Sequence, residues 1–224
     1  MSVLNLIQEG VLQQLEEILA LRATREEKED GSYVTKGDLM VQDIVMQKIA
    51  GHYPDAIVIS EELKNVEVDI SSSDVFVVDP IDGTENFTSG LAEWGVSVSH
   101  YQNGKHFESM VFCPEMQQCV QTGDVFERHE SRICGLSSSL TIEEIIQATR
   151  GFEYRILGCC VYNMMNVLKG SFCTFENPKG ANSWDILAGL NLALEHGLNV
   201  IVNDKQYHGE YLPHTTKYRF KVSG

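Results

Sequence analysis

The sequence predicts an α/β fold of alternating helical and sheet layers around one core. Three features point to it. Apolar residues recur at spacings of three and four in several segments, as on amphipathic helices. β-branched runs bounded by turn residues mark short buried strands. Residues 94–122 read as an antiparallel meander rather than a βαβ series.

Leu4, Ile7, Val11, Leu15, Ile18 and Leu19 form the stripe of a first helix running toward Arg25, and the charged stretch from Arg25 to Gly31 breaks it. A second helix is expected over 38–53, with Val41, Ile44, Val45 and Ile49 on one face and Pro54 as its stop. Residues 56–60 and 75–79 read as buried strands. Trp94, Val96 and Val98 then alternate with small residues, Asn103-Gly104 signals a hairpin, the next strand ends near Cys113-Pro114, and a third covers 117–122. Thr141 and Glu144 form a capping box that opens a short helix. Strands follow at 154–157 and 171–176 around a helix at 161–169, then a helix from Trp184 to about Gly197 and strands at 199–202 and 217–222.

With 224 residues, 43% apolar and 22% charged, the chain is expected to form one compact unit spanning 1–224. Acidic residues number 32 against 17 basic ones, so a smooth anionic surface repels nucleic-acid polymers and anionic lipid. An anionic small substrate would therefore need a local cation. The first 22 residues carry Glu9, Gln13, Gln14, Glu16 and Glu17 and lack a basic leader, and no stretch approaches the run of about 18 apolar residues that a membrane span needs. The expected location is cytoplasmic and without a membrane partner. None of the six cysteines forms a Cys-x-x-Cys pair, which favours buried free thiols over a disulfide or zinc framework.

Carboxylates collect at the ends of apolar runs. Glu61 and Glu62 follow Ile57-Val58-Ile59, Asp79 follows Val75-Phe76-Val77-Val78, and Asp82 comes three residues later across Pro80-Ile81. Clustered like charges raise one another's pKa and destabilise the fold unless a hard divalent cation takes the oxygens as ligands, and magnesium suits this set better than zinc. Gly83-Thr84 then supplies a turn into a helix start, whose free amides suit an anion. The duller reading of Asp79, Asp82 and Thr84, as caps of a turn and helix, remains open on these residues alone.

DPIDGTENF at 79–87, ISEE at 59–62 and WDILAG at 184–189, with VTKGD at 34–38 and GCCVYNMMNVLKG at 158–170, resemble the metal and substrate motifs of the inositol monophosphatase family, in the correct order along the chain. That resemblance implies a layered α-β-α-β-α sandwich with largely antiparallel, mixed sheets, and a lithium-sensitive phosphatase using two or three Mg2+ ions. It also implies a homodimer acting on a small phosphorylated substrate. Carried over by position, Glu61, Asp79, the Ile81 carbonyl and Thr84 would hold a first ion, Asp79, Asp82 and Asp185 a second, and Glu61 a weaker third reaching Asp38 through water. Asp38, Thr84 and Glu61 would activate a water for in-line attack on phosphorus. Gly83, Thr84 and Glu85 amides would hold phosphate, while Glu176 and Asp82 would contact hydroxyls of the departing alcohol.

Each assignment has a plainer counterpart. Thr35 and Asp38 can be only a capping box, Asp185 can simply answer a helix dipole, Glu176 can pair with Lys179, and Glu62 reads as a surface neighbour. The chain is short for the family, 123–155 looks too compact for the usual elements, and Cys159-Cys160 stands where small residues are usual. A nucleoside 3'(2'),5'-bisphosphate or fructose 1,6-bisphosphate is the alternative substrate, with Lys28, Lys36, Arg155 and Lys179 as candidate extra cations. A catalytically silent metal- or phosphate-binding protein is the non-enzyme alternative.

Overall fold

The computed structural model describes residues 2–28, 31–64, 67–71, 73–149 and 153–224. The elements run α1 (Val3–Gln13), α2 (Leu15–Ala20), β1 (Glu26–Glu27), β2 (Tyr33–Val34), α3 (Lys36–His52), β3 (Ile57–Ser60), β4 (Asp74–Asp82) and α4 (Thr84–Thr88). They continue with β5 (Gly95–Gln102), β6 (Lys105–Cys113), β7 (Gln118–Gln121), β8 (Ile133–Leu136), α5 (Ile142–Ala148), β9 (Glu153–Ile156) and α6 (Cys160–Leu168). The last part holds β10 (Thr174–Ala181), α7 (Ser183–Glu195), β11 (Asn199–Val202), β12 (Lys205–Gln206) and β13 (Tyr218–Ser223).

Two large sheets form, in the orders β3-β4-β5-β6-β7 and β12-β11-β13-β10-β8-β9. The β4–β7 part is antiparallel, as expected, whereas β3 runs parallel to β4, and β8 runs parallel to both β9 and β10. Both faces of the first sheet are covered. On one, Val3, Ile7, Val41 and Val45 of α1 and α3 pack against Phe76, Val78 and Phe112. On the other, Met164, Leu187 and Leu190 of α6 and α7 share a core with Val75 and Val111, and that core continues to Phe175, Val200 and Val222 of the second sheet. A buried polar bridge locks α7 in this middle layer, for Asn191 donates to Tyr101 Oη (2.9 Å) and accepts from Tyr207 Oη (3.0 Å). Helix, sheet, helix and sheet thus stack in the expected order, and α5, between β8 and β9, has no buried side chain.

Several elements differ from expectation. The first helix breaks at Gln14 (φ −110°), although the apolar stripe continues through it, so both pieces pack on α3. Strand β8, with α5 and β9, occupies the 123–155 stretch that reads as too compact. Its Gly135 is a weak strand former kept by packing, since a Cβ there would lie 2.9 Å from the Phe172 ring. Strand β10 runs on to Ala181 through a register shift after Asn177.

Candidate active site

The site begins where β4 loses its ladder. Its pairing with β5 is regular to Asp79↔Ser97 and resumes at Asp82↔Gly95. Pro80, which has no N–H to donate, sits in the interruption, and such an irregularity re-aims the flanking side chains. Gly83 follows in the left-handed region (φ +83°), and a Cβ at that place would lie 2.9 Å from Cys159 Cβ, so glycine meets two demands at once. Helix α4 then starts at Thr84, whose hydroxyl lies 3.1 Å from the Ile81 carbonyl and 3.3 Å from Asp38 Oδ1.

Asp38 comes from the first turn of α3 and is buried. Its Oδ2 accepts from the Thr35 amide (2.8 Å) and the Thr35 hydroxyl (2.5 Å), which leaves Oδ1 to face Thr84. The capping box and the Thr84 contact therefore coexist on one carboxylate. Burial pushes the Asp38 pKa up, against the opposing pull of the Thr35 hydrogen bonds.

Glu61 follows β3, which lies beside β4 in parallel register, and Asp185 occupies the first turn of α7, where its Oδ2 accepts from the Asn182 amide at 2.8 Å. Oxygens of Glu61, Asp79 and Asp185 all lie within 4.8 Å of one another. Asp79 is buried and its Oδ1 has no hydrogen-bond partner. Burial, followed by the charges of neighbouring acids, drives the pKa of both Asp79 and Asp185 well above the ordinary value. An orphaned buried oxygen in an all-oxygen cluster is a strained arrangement for acids alone and suits a hard divalent cation. The residues present fit magnesium.

Asp82 stands slightly apart, at the start of α6. Its Oδ2 accepts from the Cys159 thiol (2.9 Å) and from the Val161 amide. Burial raises its pKa to about 6 even though these bonds pull the other way. Lys28 Nζ bridges Glu61 (3.0 Å) and Glu62 (2.6 Å), so Glu62 is tied into the edge of the site through a lysine.

A cavity of about 450 Å³ opens over this ground, lined by Glu61, Asp79, Ile81, Asp82, Gly83, Thr84, Glu85 and Asp185 among others. All the expected metal and phosphate residues are thus brought together, with Asp38 directly behind Thr84. Glu176 is not among the lining residues: its carboxylate faces Lys221 at 3.4 Å, away from Lys179, and its neighbour Asn177 lines the cavity instead. Strand alternation explains this, because adjacent residues of β10 point to opposite faces. Lys28, Lys36, Arg155 and Lys179 do not line the cavity either, whereas Lys217 does. No sequence signal marks Lys217, which precedes β13 and comes near the site only through the register shift in β10. Asn177 carries none beyond its place beside Glu176.

Comparison with known proteins gives one family. The profile described as the inositol monophosphatase family matches residues 2–218. A fructose-1,6-bisphosphatase/inositol-1-monophosphatase of Thermotoga maritima is 26% identical over 198 residues, which is 79% of this chain and 74% of that protein. The protein y4fL of Sinorhizobium fredii is 29% identical over 184 residues, and the match takes in 73% of this chain but 64% of that relative's length. Among solved structures, an IMPase/NADP phosphatase complexed with Mg2+ and phosphate superposes with a TM-score of 0.79 at 22% identity, over 96% of this chain and 86% of its own, a likeness of fold.

Proposed function

The chain belongs to the inositol monophosphatase family, and on that premise we propose that it is a Mg2+-dependent phosphomonoesterase that hydrolyses a small hydroxylated phosphate ester, such as an inositol monophosphate. The observation that carries the reading is the Glu61, Asp79 and Asp185 oxygen cluster, with its orphaned Asp79 Oδ1, opening on a cavity beside Thr84.

Glu61, Asp79, the Ile81 carbonyl and Thr84 would hold one ion and Asp79, Asp82 and Asp185 a second, with a weaker third toward Asp38. Bound magnesium supplies charge neutralisation on the phosphoryl oxygens and lowers the pKa of water. The chain's own part is orientation and proton handling. Asp38 Oδ2 is filled by Thr35, so Oδ1 remains to accept the Thr84 proton. With the Ile81 carbonyl, the nearer acceptor at 3.1 Å, committed to an ion, the Thr84 proton would go to Asp38 and leave the Thr84 oxygen to accept from an attacking water, and burial keeps Asp38 basic for a carboxylate. The amides of Gly83, Thr84 and Glu85 would hold phosphate at the start of α4. Asp82, anchored on α6 through Oδ2, has Oδ1 to offer an ion or a hydroxyl of the leaving alcohol. The resemblance also carries lithium inhibition and a homodimer as parts of this proposal.

The test is phosphate release from inositol 1-phosphate and p-nitrophenyl phosphate in EDTA and in Mg2+, with Asp82→Asn alongside. Metal-dependent release that disappears in the variant supports the reading. Magnesium binding without any release would instead favour a silent metal-binding protein.

A further inference from the structure

As the cysteine spacing implies, all six cysteines are free thiols, yet two of them touch. Cys134 Sγ of β8 lies 3.4 Å from Cys173 Sγ, just ahead of β10, although the two residues are 39 positions apart in the chain. The sheet makes this contact. β8 and β10 run parallel with Cys134 opposite Thr174, and the Cys173 amide continues the ladder by donating to the Ile133 carbonyl at 2.8 Å. On its other side the Cys173 carbonyl accepts from the Gly224 amide at 3.1 Å, next to the Thr174↔Ser223 pair of β10 and β13. The Cys173 backbone is therefore held from both sides, and its sulfur stays against that of Cys134.

The other thiols are placed differently. Cys113 belongs to the core on one face of the first sheet, Cys119 packs against the core on the other, and Cys159 donates to Asp82. Among the described residues no second pair of sulfurs is in contact. The chain between Cys134 and Cys173 also holds weakly buried elements: α5 and the edge strand β9 have no buried side chain, and Ser137 to Ser139 line the cavity. Such segments open at low free-energy cost, so a covalent tie across their base has something to hold.

We propose that Cys134 and Cys173 are a modification site, which hydrogen peroxide converts to a disulfide that staples β8 to β10 and which a dithiol reductant reopens. Cys134 is buried and Cys173 half-buried, so the peroxide meets Cys173 first. Cys173 Sγ attacks a peroxide oxygen, the O–O bond breaks, and a sulfenic acid and one water result. Cys134 Sγ then attacks the Cys173 sulfur, the S–S bond forms, and the displaced hydroxide takes the Cys134 proton and leaves as a second water. Two thiols are oxidised and one peroxide is reduced. Burial and the Cys134 contact push the Cys173 thiol up, so little thiolate is present near neutral pH and the first step is slow. The second is fast, because the resolving sulfur is already in place and captures the sulfenic acid before it oxidises further.

The test treats the full chain with hydrogen peroxide, quenches it with catalase and digests it without reductant for peptide mass spectrometry, beside a melt of the intact protein. It stands apart from the phosphatase reading, since neither readout is turnover. The expected result is a Cys134–Cys173 linked peptide, a fall from six titratable thiols to four in urea, and a melting temperature higher by roughly 5–10 °C, all reversed by dithiothreitol. Cys134→Ser and Cys173→Ser should each fold as the reduced wild type does and lose both the link and the rise. Six thiols persisting at a peroxide dose that fully oxidises glutathione overturns the proposal. So does a sulfinic acid on Cys173 without a link, a bond through any other cysteine or between two copies of the chain, or a Cys134–Cys173 link that leaves the melt unchanged.

Discussion

Asp82 serves two structures at once, since one carboxylate oxygen closes the start of α6 and the other remains for the site. Asp82→Asn keeps an oxygen acceptor for the Val161 amide and removes one charge from a crowded cluster. The variant should lose at least about a hundredfold in kcat, the scale of removing a group that stabilises transition-state charge, yet melt no lower than wild type in EDTA. Steady-state kinetics beside a calorimetric melt check both halves, and a melt several degrees lower would contradict the charge-crowding account. Gly83→Ala is the opposite kind of change. It forces a side chain into the left-handed region against Cys159 and should cost roughly 1–2 kcal/mol in a urea titration, with activity falling as Thr84 shifts.

At the scale of elements, two capping boxes give a controlled comparison. Thr35 caps α3 and also holds Asp38 against Thr84, whereas Thr141 caps only the exposed α5. Thr35→Ala and Thr141→Ala should each cost about 1 kcal/mol of stability, but only the first should lower kcat. An equal effect on kcat would mean that Asp38 is held by something other than its cap. The sequence makes the Thr35–Asp38 box legible because capping has a fixed spacing, and the apolar stripes of α1 and α3 are legible for the same reason: the signal is local. The Asp79–Asp82 bend was readable from Pro80. Strand β8 was not, since four residues containing a glycine look like a loop until β9 and β10 flank them. The outward turn of Glu176 follows from the phase of β10, set by its pairing with Lys221 of β13, and the approach of Lys217 from a register shift further along the same pair; both depend on strands distant in sequence, and no local pattern encodes them.

For the whole molecule, the acid cluster couples folding to pH and metal. Asp82 titrates at about 6 in the folded chain against an ordinary 3.8, and Asp79 and Asp185 are also raised, because burial and mutual repulsion disfavour their charged forms. A carboxylate whose folded pKa is raised binds its proton more tightly when folded. Stability from these groups is therefore full below pH 3.8 and is lost as pH rises through about 6 for Asp82, and higher for the other two. In EDTA these groups should make the melting temperature fall between pH 5 and pH 8, and added Mg2+ should raise it more at pH 8 than at pH 5. A metal effect independent of pH would argue against the cluster as the binding place. The central claim, that these carboxylates form a working metal centre, is tested most directly by the initial rate of phosphate release as Mg2+ is titrated into metal-free protein, wild type beside Asp79→Asn. The account predicts no release without the ion, a saturable rise in wild type and none in the variant; release in EDTA, or an unchanged titration in Asp79→Asn, would contradict it.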